Sequence, residues 1–222
     1  MSRHYTQQAI QFTTIFSGVA MQALLLFSRG IDKISSWVGT LAMWMILATT
    51  IISAGNAVIR KAFGVTNNAL LEVQWYLFAA VFMLGASYCF LKNAHVRIDF
   101  VSSRLSAKTR NWIDIVGIVV VLIPFCILCI DLSWPFFYMA YTSGEMSANA
   151  GGLIRWPVYA VIPAGFALLL LQALSELIKR IAFLAGKGPD SLAHDDGGEE
   201  EKLAAELAAQ LAGTQPNSSK AG

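Results

Sequence analysis

An all-α fold with four membrane-spanning helices is predicted by the composition of the chain, by its long apolar runs and by the clustering of its charges. Of the 222 residues, 56% are hydrophobic and 14% are charged, whereas soluble domains carry about a quarter charged residues. The charges lie in short clusters between apolar runs, a separation that a soluble fold does not need. The net charge of +2 gives no reason to expect binding to nucleic acid.

Four apolar runs are long enough to cross a bilayer. A hydrocarbon core about 30 Å thick needs about 20 helical residues, because backbone amides must be bonded internally where water is absent. The runs are Ser36 to Ile59, Val73 to Leu91, Trp112 to Tyr138 and Trp156 to Leu174. They predict a four-helix transmembrane domain over residues 31–185.

The connection between the second and third runs is the most basic one. It contains Lys92, Arg97, Arg104, Lys108 and Arg110, whereas the other two connections together contain Arg60, Lys61 and Arg155. Cytoplasmic loops carry the excess of Lys and Arg. This connection is therefore predicted to be cytoplasmic, and with four spans both termini are cytoplasmic as well.

Residues 1–30 form a separate predicted segment. Between Gln7 and Phe27 a polar stripe follows one face of an otherwise apolar helix, and its members are Gln7, Gln11, Thr14, Gly18 and Gln22. This pattern favours an amphipathic helix at the cytoplasmic membrane surface or against a partner. A fifth span, which would place the N-terminus outside, and a cleaved signal peptide are the alternatives.

Residues 186–222 are rich in Gly, Asp, Glu and Ser. Such a composition cannot bury a core and predicts an acidic cytoplasmic tail. Within it Glu199 to Leu211 could form one short helix, with leucines aligned on one face.

Acidic residues in or beside the apolar runs are candidate functional residues, because charges in a membrane are costly and usually mark a function or a partner. Asp114 lies four residues from Arg110, which suggests a local ion pair. Asp131 lies deeper. It either faces a base at the outer headgroups, such as Arg60, Lys61 or Arg155, or contacts another membrane subunit. Glu72 begins the second span, where the helix dipole would favour an anion.

Sequence signatures of catalysis and of autonomous transport are missing. We find no phosphate-binding loop, zinc-ligand spacing, nucleophile motif or repeated pair of broken helices, so a non-enzymatic protein without a cofactor is predicted. A membrane-anchor subunit of a respiratory enzyme complex is the alternative. It would hold haem through histidines inside the spans, whereas His4, His95 and His194 lie outside them.

Short motifs in order along residues 31–185 resemble the small membrane subunit of tripartite ATP-independent periplasmic (TRAP) transporters. The motifs are Asn56 to Arg60 with Phe63, Leu71 to Phe78, Asn93 to Asp99, Trp112 to Asp114, Gly151 to Pro157, Pro163 to Phe166 and Leu170 to Gln172. Each motif alone is weak, but their order within a four-span chain is fairly specific.

This resemblance implies a subunit of a secondary uptake system in the bacterial inner membrane. In that family a periplasmic binding protein captures an organic acid, and a large membrane subunit carries it inward on a sodium gradient. The small subunit is a static scaffold without a substrate or sodium site. The resemblance implies structural or subunit contacts for Glu72, Gln74, Trp75, Arg97, Asp99, Arg155 and Trp156, to which the membrane-charge argument adds Asp131. The expected partners are the large subunit, the binding protein and membrane lipids.

Overall fold

The computed structural model describes residues 2–64, 68–93, 105–149 and 151–190, and for residues 2–20 it describes the helix but not the side chains. The helices are α1 (Ser2–Phe63), α2 (Asn68–Leu91), α3 (Ala107–Gly117), α4 (Ile123–Ser143) and α5 (Trp156–Leu184), and a π-helical turn (Ile118–Leu122) joins α3 to α4. The described part contains no β-strand, only an isolated bridge between Met146 and Ile154.

Four helical stretches in the described part are long and apolar enough to cross a membrane. They are Met21–Phe63, Asn68–Leu91, Ala107–Ser143 and Trp156–Leu184. Each contains one of the four runs found in the sequence. The prediction of an all-α protein with four membrane-spanning helices is therefore confirmed.

Helix α1 continues without a break past residue 30, where the sequence suggested a boundary. Its 62 residues correspond to about 93 Å of helix, far more than one span requires. The polar stripe thus begins on the same helix that forms the first span. The interfacial position of residues 1–30 stays a prediction, and the tail after Asp190, with its possible short helix, lies outside the described residues.

The third span is one rod in which the π-helical turn is followed closely by Pro124. Proline has no N–H to donate to the carbonyl four residues earlier, and its ring crowds that carbonyl. In membrane helices a local π-helical adjustment is one way in which backbone groups freed by a proline are satisfied again. The third span therefore continues across the proline.

Helix α5 occupies the middle of the bundle. It packs against α1, against α2 and against α4, and α1 packs also against α2. In the most apolar stretch of each of the first three spans, 11% of the residues are buried within the chain. The corresponding fraction in α5 is 33%. The first three spans thus leave most of their apolar surface to lipid or to a partner.

Close packing within the bundle depends on two glycines. A Cβ at Gly165 would lie 2.8 Å from the carbonyl oxygen of Met83, on the backbone of α2, and one at Gly39 would lie 2.3 Å from the ring of Tyr88. Helices associate in lipid mainly through such close approach at small residues. The third span presents a stripe of small residues to α5, in which Cys126, Ser133 and Ala140 are buried.

Candidate functional site

Glu72 is buried near the N-terminal end of α2, where its carboxylate accepts three hydrogen bonds from the loop between α4 and α5. The donors are the hydroxyl of Ser147, the side-chain amide of Asn149 at 2.7 Å and the backbone N–H of Leu153 at 2.7 Å. Because α2 begins at Asn68, Glu72 lies beyond its first turn. The expected stabilisation of Glu72 by the helix dipole is thus replaced by hydrogen bonds that tie α2 to the loop.

The same loop is closed by a second set of contacts at Arg155. Its guanidinium donates to Glu145 at 2.8 Å, and its backbone N–H donates to the carbonyl of Glu145 at 2.9 Å. The side-chain hydrogen bond raises the pKa of the Arg155 guanidinium above its ordinary value. The hydroxyl of Tyr76 donates to the carbonyl of Ile154. Together with Glu72 these contacts fix the loop over the N-terminal end of α2. We name them the outer cluster, after the side of the membrane that the sequence predicts for them.

Glu72→Gln is expected to loosen this loop, since the side-chain NH₂ of glutamine would face the N–H and O–H groups that donate to the carboxylate in the wild type. The measurement is hydrogen exchange at the backbone amide of Leu153, which should become at least severalfold faster. Trp75→Leu, at an exposed position on the same helix, is the control. Equal protection in Glu72→Gln and wild type would contradict the tie.

The other residues predicted at the outer end have different surroundings. Trp75 is 68% exposed and so presents its ring to lipid or to a partner. Trp156 is half-buried and packs edge-to-face on Tyr141, with ring centroids 5.7 Å apart. The Nε2 atom of Gln74 is buried without a hydrogen-bond partner among the described residues. Arg97 and Asp99 lie outside the described residues.

At the opposite end of the bundle, Asp32 on α1 is surrounded by donors from α5. Its Oδ1 accepts from Gln172 at 3.0 Å, from Ser175 at 2.9 Å and from Lys179 at 3.0 Å. Ser35 on α1 donates to the Oε1 of Gln172 at 2.7 Å. The two helices are therefore joined by hydrogen bonds in addition to apolar contact.

Ion pairs extend this network through α5 to α3. Glu176 and Arg180 are fully buried and lie 2.7 Å apart; Arg180 also pairs with Asp114 at 3.2 Å, and Lys179 pairs with Asp32 at 2.8 Å and with Glu176 at 2.6 Å. Burying charges is costly unless each is paired and hydrogen-bonded. We name this set the inner cluster: Asp32, Ser35, Asp114, Gln172, Ser175, Glu176, Lys179 and Arg180.

Sequence reasoning missed the inner cluster, because basic residues after the last apolar run, such as Lys179 and Arg180, indicate only topology by themselves. A usable signal was present in α5, where Gln172, Glu176 and Lys179 recur at helical spacing and place polar groups on one face. The network also changes the expected partner of Asp114. The ion pair observed for it is with Arg180 of α5, and Arg110 pairs with Asp190 at 2.9 Å.

Asp131 lies on α4 with its side chain exposed, and it forms no hydrogen bond or ion pair with any part of the chain that the structure describes. Its suggested partner Arg155 is engaged by Glu145. Asp131 borders an open cavity of about 430 Å³, together with Ile127, Trp134 and Pro135. It is thus separate from both clusters.

The chemistry available to these clusters is structural. The inner cluster connects helices and the outer cluster connects α2 to the loop between α4 and α5, in both cases through hydrogen bonds to charged groups. Neither exposes a nucleophile paired with a base. In the described ranges no three His, Cys, Asp or Glu residues come together as a metal site. These contacts hold helix positions and do not suggest a solute pathway.

The comparison with known families agrees with this arrangement. The family model "Tripartite ATP-independent periplasmic transporters, DctQ component" matches residues 49–183, which is more than half of the chain. The chain belongs to the DctQ family. The match covers about the last quarter of α1, all of α2, α3 and α4, and most of α5. It therefore includes Glu72, Asp131 and the α5 part of the inner cluster. No curated protein and no solved structure matches the chain.

Membership of the DctQ family defines the general role. The chain is the small component of a TRAP transporter. Components of this family work with a large membrane subunit and a substrate-binding protein. The family and the four spans indicate a multi-pass protein of the bacterial inner membrane. The alternative of a respiratory membrane anchor has no support from the family match.

Proposed function

We propose that this DctQ-family chain is the static scaffold of its transporter and carries no solute itself. The observation that carries the proposal is the use of its buried charges. Glu72, Glu176 and Arg180 all have their charges engaged by groups of the chain itself. A protein that moved its helices to transport a solute would have to break these desolvated pairs, and removing a partner from such a pair is strongly destabilising.

The scaffold supports the large membrane subunit laterally. Most of the apolar surface of the first three spans is not buried within the chain, and helices in lipid associate through packing and a few polar contacts. A rigid bundle with exposed apolar faces can serve as a stationary surface against which the large subunit moves.

The large subunit would carry an organic acid inward on a sodium gradient. A transporter that works without ATP has to draw energy from an ion gradient when it accumulates a solute. The assignment of sodium as the ion and of an organic acid as the solute follows from the resemblance in the motifs around Glu72 and Arg155. In this assignment the small subunit needs no cofactor and is not an enzyme.

Both termini are proposed to be cytoplasmic, with the inner cluster on the cytoplasmic side. The basic connection between α2 and α3 supports this orientation. A cysteine placed at Ser103, in a chain without its three native cysteines, should be protected from an impermeant thiol reagent added to intact spheroplasts. Labelling of this cysteine from outside would show that the proposed orientation is inverted.

Co-purification tests the assignment to a complex. An affinity-tagged copy of the full chain, extracted from its native inner membrane in mild detergent, should retain a larger polytopic membrane protein in a fixed ratio. Retention of a haem-containing enzyme instead, visible by its absorption band, would contradict the assignment.

A further inference from the structure

The depth of Asp131 in the bilayer follows from the two ends of the third span. Asp114 belongs to the inner cluster, and Tyr141 contacts Trp156 at the outer end. Along the helix Asp131 lies about 26 Å from Asp114 and about 15 Å from Tyr141, at 1.5 Å per residue. A hydrocarbon core about 30 Å thick, centred between these ends, places Asp131 about 10 Å inside its outer boundary.

The side chain of Asp131 points away from its own bundle. The buried stripe of α4, with Cys126, Ser133 and Ala140, faces α5. Asp131 lies on the opposite side of the helix in a row with Ile127 and Trp134, both more than half exposed. An exposed carboxylate therefore interrupts an apolar face at hydrocarbon depth.

A second acceptor lies at the same position in the backbone. Pro135 is inside α4, and it has no N–H to donate to the carbonyl of Asp131, four residues earlier. The carboxylate and this carbonyl thus form a concentration of hydrogen-bond acceptors. No donor from the described residues reaches the carboxylate.

We infer that Asp131 and the row Ile127, Trp134 and Pro135 form the docking surface for one transmembrane helix of the large membrane subunit. That helix inserts a basic side chain beside Asp131. The inference rests on the proposed function. Charge complementarity selects this occupant. A lipid tail has no donor, and a carboxylate in hydrocarbon requires a cation or a proton. The cavity of about 430 Å³ beside Asp131 is large enough for such a side chain.

The first test compares two asparagine variants in the co-purification assay. Asp131→Asn keeps the shape of the side chain and a hydrogen-bonding group but removes the charge. The tagged chain with this substitution should retain at least about tenfold less large subunit than the wild type, since loss of one partner of a desolvated charge pair is costly. Leu132→Asn introduces the same amide on a neighbouring exposed face, and it should retain the large subunit. Full retention by Asp131→Asn would overturn the inference of a basic partner.

The second test does not depend on the behaviour of the Asp131 variant. A photo-crosslinking residue placed at Ile127 or Trp134 should capture the large subunit, whereas one at Leu132 should not. Capture from Leu132 alone would place the interface on another face and overturn the inference. If the wild-type chain retains no large subunit and no crosslinking position captures one, the proposed function itself is refuted.

Discussion

Replacement of Arg180 by methionine is expected to lower the free energy of unfolding by about 3–5 kcal/mol, because it removes the cation that pairs with the buried carboxylate of Glu176 and with the half-buried carboxylate of Asp114. Arg180 is fully buried between Glu176 and Asp114. Methionine retains much of the side-chain volume, so the loss of charge and hydrogen bonds dominates. The substitution removes the ion pairs with both carboxylates at once.

The measurement is unfolding of the purified chain in mixed micelles, followed by circular dichroism as the denaturing detergent is increased. Arg29→Met is the matched control, since Arg29 is exposed on α1 near the same end of the bundle. A double variant with Arg180→Met and Glu176→Gln should recover part of the loss, because it also removes the buried negative charge that Arg180 balances. Equal stability of the two arginine variants would show that the inner cluster does not stabilise the bundle.

Gly165→Ala is expected to cost about 2–3 kcal/mol through overpacking. The new methyl group would lie 2.8 Å from the carbonyl oxygen of Met83. Since that atom belongs to the backbone of α2, no rotamer change relieves the overlap, and α2 and α5 must move apart. The added separation also weakens neighbouring contacts between the two helices.

Gly85→Ala provides the comparison for this substitution. A Cβ at Gly85 meets no atom within 4 Å, and alanine has the higher helix propensity by about 1 kcal/mol. The two variants should therefore shift the unfolding midpoint in opposite directions in the same assay. A stabilised Gly165→Ala protein would contradict the close approach of α2 and α5.

The number of the spans and their order along the chain were predictable because lipid imposes a simple constraint on the sequence. A helix must supply about 20 apolar residues and satisfy its own backbone, and such runs are visible without any knowledge of tertiary contacts. The continuity of α1 through residue 30 was not predictable in this way. Its polar stripe between Gln7 and Phe27 looks the same whether the helix ends or continues.

The contacts of charged residues were less predictable, since they join helices far apart in sequence. Glu72 was recognised as important, but its true donors lie in a loop about 80 residues later whose fold gives no periodic signal. Asp114 was assigned to its neighbour Arg110, whereas the observed pair with Arg180 requires the packing of α5 against α3. Local spacing therefore identified the residues but not their partners.

Solute uptake by reconstituted vesicles tests the central claim most directly. Three preparations are compared under an inward sodium gradient with the substrate-binding protein present: this chain alone, the large subunit alone, and both together. We expect no sodium-dependent uptake of organic acid by this chain alone and full uptake only when both membrane subunits are present. Sodium-dependent uptake by this chain alone would contradict the account of a static, non-transporting scaffold.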